Sequence, residues 1–153
     1  MPNTYTQLHI QFVFVVRYRK ALIQPEWKDK LHQYMTGIIQ NNDHKMIIIN
    51  SMPDHIHILI GYRPSQPIPA LVQNLKSEST KWIHRNGFCE SRFSWQSGYG
   101  AFSYSKSHLK RVINYIANQE KHHQKVSFKK EYRKLLDAYE VDYEEQYLFS
   151  DPE

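Results

Sequence analysis

The chain reads as an α+β domain, an antiparallel four-stranded sheet with two helices on one face. Three observations predict this. Strand-like segments at 4–16, 45–51, 55–60 and 93–104 are separated by helical spacing at 25–41 and 68–86. In order they give strand, helix, strand, strand, helix, strand, with further helices behind. The link Met52-Pro53-Asp54 is too short for a parallel crossover, so the strands on either side of it pair antiparallel. This is the split βαβ, ferredoxin-like arrangement. The 153 residues include 11 Tyr, 7 Phe and 3 Trp, enough for one core. We take 1–153 as a single domain with an acidic tail over 140–153.

Thr4 to Val16 alternates, with Leu8, Ile10, Phe12 and Phe14 on one face and Gln7, His9, Gln11 and Val13 on the other. A basic, aromatic loop follows, Arg17-Tyr18-Arg19-Lys20. Pro25 suits the first turn of a helix striped by Trp27, Leu31, Tyr34 and Ile38, and Asn41-Asn42 ends it. Met46-Ile47-Ile48-Ile49 is a β-branched run. Ile68, Leu71, Val72, Leu75, Trp82 and Ile83 stripe a second helix ending near Asn86-Gly87. Phe93 to Tyr104 is strand-like and broken by Gly98 and Gly100. A third helix is expected from Ser105 or Ser107 to about Lys121, striped by Leu109, Val112, Ile113, Ile116 and Ala117. A last one spans Phe128 to Tyr139, with Tyr132, Leu135 and Leu136 inward. The acidic tail contains Tyr143, Tyr147, Leu148 and Phe149, which suits packing.

Composition narrows the function. The single cysteine, Cys89, excludes a disulfide framework and a multi-cysteine zinc site and fits a reducing, cytoplasmic setting. Met1 to Val16 alternates instead of running apolar, so it reads as neither a signal peptide nor a membrane span. Residues 1–130 hold 18 Lys/Arg against 7 Asp/Glu, and residues 131–153 hold 2 against 8. A basic body with an acidic tail fits a polyanionic partner or an ordinary solvated surface.

Two constellations carry chemistry. His55 and His57 are one residue apart on a strand, so both rings share a face while Ile56, Ile58 and Ile60 face the core. Two imidazoles on one rigid face are half of a metal site, and a solvated sheet face can carry the same pair. On the third helix, Tyr115 lies about 120° from the centre of the apolar stripe, with Gln119 one turn on. Gln119, His122, His108 and Arg111 are expected on the same side. A phenol can be a nucleophile and an amide oxygen a metal ligand. Tyr115 also fits a plain boundary residue of an amphipathic helix.

A strand with His55-Ile56-His57 followed by a late helix with Tyr115-Ile116-Ala117-Asn118-Gln119 resembles the single-tyrosine HUH transposases of the smallest bacterial insertion sequences. Four more stretches match in order: Phe14 to Arg19, Met52-Pro53-Asp54, Trp95 to Gly100, and Asn118 to His123. The match runs from Tyr5 to about Phe149. The resemblance implies that His55, His57 and Gln119 bind a divalent metal, Mg2+ or Mn2+, and that Tyr115 attacks DNA. Attack leaves a 3′-hydroxyl and a 5′-phosphotyrosine, and no nucleotide cofactor is needed. It further implies hairpin-bearing single-stranded DNA as substrate. It implies a homodimer in which the tyrosine helix can serve the partner's histidines, with Gly98 and Gly100 as a flexible connection. No membrane partner is implied. Candidate DNA contacts are Arg17, Tyr18, Arg19, Lys76, Lys81, Arg85, Lys106 and Arg111. His9 and the pair His122-His123 are second-tier candidates.

Rival readings fit less well. A module that binds single strands without cutting wants aromatics on its open sheet face, where this chain has histidines and glutamines. A two-histidine phosphoesterase wants two HxH strands, and one is present. A host-domesticated relative acting on repeated hairpins, or a replication initiator, stays open.

Overall fold

A computed structural model of the protein describes residues 5–20, 22–123, 127–139 and 141. Apart from Val141, the acidic tail over 140–153 lies outside the described residues, as does the Arg19 side chain. Four antiparallel strands stand in the order β2-β3-β1-β4. They are β1 (His9–Val15), β2 (Lys45–Met52), β3 (His55–Gly61) and β4 (Gly100–Tyr104). Helices α1 (Pro25–Asn41) and α2 (Ile68–Arg85) connect them. The α+β, ferredoxin-like class expected from the sequence is the one observed. Three helices follow: α3 (Leu109–Ala117), α4 (Gln119–His123) and α5 (Phe128–Ala138).

One face of the sheet follows the alternation. Phe12, Phe14, Ile56, Ile58 and Ile60 are fully buried against Leu31, Met35 and Ile39 of α1 and Leu71, Leu75 and Ile83 of α2. The α1 stripe is rotated from the expected one. Met35 and Ile39 are buried, while Tyr34 and Ile38 flank them and Tyr34 stacks on Trp82. Truncating a core residue such as Phe14 to alanine costs about 3–5 kcal/mol, since lost transfer energy and cavity add.

Several boundaries differ from expectation. β1 starts at His9, five residues later than expected, although the Leu8 carbonyl still accepts from Tyr62 N–H at 2.8 Å. Of the stretch 93–104, only Gly100–Tyr104 is a strand, and Trp95 makes a single bridge to Val16. The Lys76 ammonium instead binds the carbonyls of Gln96 and Gly98, which folds the intervening loop around it. The expected continuous third helix is broken. At Asn118 the side-chain amide donates to the Asn114 carbonyl at 2.8 Å, which also accepts the Asn118 backbone N–H at 3.1 Å. The chain leaves the α-conformation there and restarts as α4. The Ile116 carbonyl freed near the break is taken by Asn50 of β2 at 2.8 Å.

The second face carries Gln11, Val13, Val15, His55, His57 and Leu59, placed side by side by the register Val13↔His57 and Val15↔His55. Helices cover it. Val112 and Ile116 of α3 pack on Leu59, and Phe128, Tyr132 and Leu136 of α5 pack on Val13, Val15 and Phe102. Gly100 lets α5 approach: a Cβ there would stand 2.8 Å from the Tyr132 hydroxyl and 2.9 Å from the Phe102 ring. The glycine expected to give flexibility is needed for close packing. No helix among the described residues is long and apolar enough to cross a membrane.

Candidate active site

β3 positions two histidines whose outer ring nitrogens are already committed. His55 Nδ1 lies 2.7 Å from Asp54 Oδ1, and His57 Nδ1 lies 2.8 Å from Gln11 Oε1. Gln11 is itself oriented by its amide donating to the Tyr104 hydroxyl at 2.8 Å. Both partners are acceptors, so each imidazole carries its proton on Nδ1 and presents a lone pair at Nε2. Those lone pairs meet oxygens. His57 Nε2 is 3.0 Å from Glu131 Oε1, and His55 Nε2 is 3.3 Å from Gln119 Oε1. Paired lone pairs at such distances call for a proton or a metal ion between them.

The donor atoms of His55, His57 and Glu131 lie within 4.8 Å of one another. With the Gln119 amide oxygen this makes two nitrogens and two oxygens, a donor set that fits a divalent metal after slight contraction. The site is buried: His55 is 1% exposed, His57 0%, Gln119 0% and Glu131 3%. Phe128 stacks on the His55 ring at 3.9 Å. Burial lowers the His57 pKa, outweighing the Glu131 bond that raises it. Burial alone would raise the Glu131 carboxyl; His123 and His57 beside it hold it well below the usual carboxylate range. Asp54 is likewise lowered, burial opposing and the His55 bond prevailing.

Tyr115 stands at this site in the same chain. Its ring centre is 5.8 Å from that of His57 and 5.3 Å from that of His122. Burial, followed by the Glu131 charge, raises the pKa of its hydroxyl. The break at Asn118 does not separate the pair expected from helical spacing, since Gln119 Nε2 still reaches the Tyr115 carbonyl at 3.4 Å. The Tyr115 ring is half-buried and packs beside Val112 and Ile116, so it contributes to packing as well.

His122 and His123 each bring Nε2 to 2.9 Å from Glu131 Oε2, which makes them part of the site. His108 is held by Ser105 at 2.7 Å. Glu131 escaped the sequence reading. The available signal was an acid on the apolar face of α5, one turn from Phe128 and Leu135. Of the candidate DNA contacts, Arg17, Arg85, Lys106 and Arg111 are exposed, Tyr18 is half-buried, and Lys81 is exposed beside Glu78 at 3.7 Å. The ammonium of Lys76 is spent on loop carbonyls, and its burial lowers its pKa to about 8.

The sequence profile of the IS200-like transposases matches residues 4–119, more than half of the chain. The chain belongs to this family. Among curated relatives, the ISDra2 transposase TnpA of Deinococcus radiodurans is 27% identical over 118 residues, covering 74% of this chain and 84% of that transposase. A crystal structure of a candidate transposase from Deinococcus radiodurans R1 superposes with a TM-score of 0.61 at 23% identity, covering 76% of this chain and 94% of that one. A REP-associated tyrosine transposase bound to a REP hairpin superposes with a TM-score of 0.60 at 14% identity, covering 99% of this chain and 94% of that one. At these identities the superpositions report the fold. The transposase profile ends at Gln119, so α5 and Glu131 lie beyond the stretch that defines the family.

Proposed function

We propose that the protein is a metal-dependent endonuclease and strand transferase. It cuts and rejoins single-stranded DNA at hairpin-bearing ends through a 5′-phosphotyrosine on Tyr115. The observation that carries this reading is the Tyr115 ring 5.8 Å from that of His57, one turn before Gln119, within one chain. Tyr115 Oη forms a bond to phosphorus, and the bond from phosphorus to the 3′ oxygen breaks. That oxygen takes up a proton and leaves as a 3′-hydroxyl. The phenol gives up its proton to water as the bond forms, so one proton is released and one taken up over the step. Attack by a second strand's 3′-hydroxyl on the phosphotyrosine reverses the step and rejoins DNA, so no nucleotide is consumed. His55, His57, Glu131 and Gln119 would hold Mg2+ or Mn2+, which supplies positive charge to the non-bridging phosphate oxygens when bound.

The histidines lie beneath Phe128 and Glu131 with 1% and 0% exposure. Phe128 and Glu131 of α5 thus form the cover of the histidine face in this structure. The test is a denaturing gel of labelled hairpin DNA incubated with the protein and manganese. A covalent adduct is expected from the parent and none from Tyr115→Phe, while Gln119→Ala forms it slowly. An adduct with Tyr115→Phe would place the nucleophile elsewhere.

A second reading, a host-bound relative acting on repeated hairpins, is favoured by one observation. The likeness to the hairpin-bound REP-associated transposase spans 99% of this chain, α5 included. Mapping the DNA around the gene separates the two: a pair of flanking hairpin ends marks a mobile element, dispersed hairpins a domesticated one.

A further inference from the structure

The turn at Arg17–Arg19 and the loop before β4 enclose a cavity of about 420 Å3, lined by Arg17, Tyr18, Lys20, Leu22, Arg92 and Ser94. Three of the six are cations, one is aromatic, and none is acidic. The cavity is fastened to the catalytic end of the sheet. Val16 N–H donates to the Asp54 carbonyl at 2.9 Å, Ile23 N–H to the Pro53 carbonyl at 3.0 Å, and Arg17 N–H to the Ser94 carbonyl at 2.9 Å. Asp54 is the residue that orients His55. Tyr18 sits at φ 59, ψ 16, a left-handed conformation that bulky residues rarely adopt. Such a conformation persists only where the surrounding contacts hold it in place. The Arg17 guanidinium lies 5.8 Å from the Tyr18 ring centre.

We propose that this cavity holds one unpaired nucleotide of the DNA strand beside the scissile phosphate. Its base lies against Tyr18 and Leu22, and its phosphate on Arg17 and Arg92. The inference rests on the single-strand cleavage reading and adds to it a bounded, position-specific subsite. Aromatic faces and guanidinium groups together are the chemistry that recognises a nucleotide. A volume at the small end of the range of ligand sites suits one nucleotide. A base inside a duplex has no free face to offer such a cavity. Among the lining residues, Leu22, Arg92 and Ser94 carry no motif, so folding alone brings them to Tyr18.

The test uses a DNA hairpin with oligo-dT flanks, in which one abasic position is walked along the flank and binding is read by fluorescence anisotropy. One position is expected to lose about tenfold in affinity, the scale of one lost base stack. Tyr18→Gly should melt no lower than the parent, since glycine adopts positive φ freely. In that variant the abasic penalty at this position should vanish. Arg92→Ala, at an exposed position, should weaken every oligonucleotide and reduce the salt slope by about one counterion. No sensitive position, a penalty that survives in Tyr18→Gly, or an unchanged slope in Arg92→Ala would each overturn the subsite. The adduct assay on the parent runs in parallel. An adduct without a sensitive position sinks the subsite alone. A sensitive position without an adduct sinks the cleavage reading alone.

Discussion

His57 shows how one residue's chemistry is set by its neighbours. Its Nδ1–H donates to Gln11 Oε1, and the Nε2 lone pair is left facing Glu131. Removing the third donor should therefore be felt directly. Glu131→Gln is expected to weaken Mn2+ binding at least tenfold by calorimetry, the lower end of what even supporting groups contribute. Unchanged affinity would remove the carboxylate from the metal site. Gln11→Ala should cost less, because it frees the tautomer without deleting a donor. Elsewhere, His32 is bound to Ser51 at 2.8 Å, and its pKa is lowered to about 4 by burial and by the nearby Lys28 charge. Below about pH 6.5 the unfolded chain binds a proton at His32 that the folded chain refuses until about pH 4. Stability is thus lost as pH falls through that window, by up to about 3 kcal/mol. His32→Gln should flatten this part of the melting temperature's pH dependence. An unaltered acid slope would show that other groups set it.

At the scale of elements, α5 makes the site a closed one. Phe128 stacks on His55, Glu131 reaches His57, and Tyr132 lies across Gly100. A methyl group at Gly100 must displace the Tyr132 ring, and overpacking of this kind costs about 1–3 kcal/mol. Gly100→Ala is therefore expected to lower the melting temperature. Because α5 also carries the Glu131 donor, the same variant should form the DNA adduct more slowly than the parent. An unchanged or faster rate would show that α5 is not needed in place for cleavage. The break between α3 and α4 belongs to this scale too. There Asn118 caps the Asn114 carbonyl with both its side chain and its backbone N–H, and Gln119 stands against His55.

For the whole molecule, charge and assembly matter. Residues 1–130 carry 18 basic against 7 acidic side chains. Binding of single-stranded DNA should fall linearly with the logarithm of salt concentration, because each neutralised phosphate releases condensed counterions. Equal affinity for a hairpin-free duplex would contradict single-strand recognition. The family resemblance implies a homodimer, and light scattering at about micromolar concentration, where ordinary dimers persist, checks it. Tyr115 already meets His57 within one chain. A strict monomer that still forms the adduct would therefore show the tyrosine acting on its own subunit's histidines.

Spacing along the chain specifies the sheet, the two connecting helices, and the shared face of His55 and His57. Each rests on period-two or helical spacing, which local sterics impose wherever one face is buried. It also determined Tyr115 and Gln119 as a pair, since four residues are one turn. Glu131, His122 and His123 were beyond its reach as a cluster. No spacing rule relates a residue on α5 to a strand more than seventy positions earlier, and only packing of α5 across Val13, Phe102 and Gly100 brings its carboxylate to His57. Packing likewise decided that Lys76 faces loop carbonyls and that Arg92 shares a cavity with Tyr18. Periodicity specifies which face a side chain occupies; which side chains meet across two elements depends on how those elements dock, and that is settled by tertiary contacts alone.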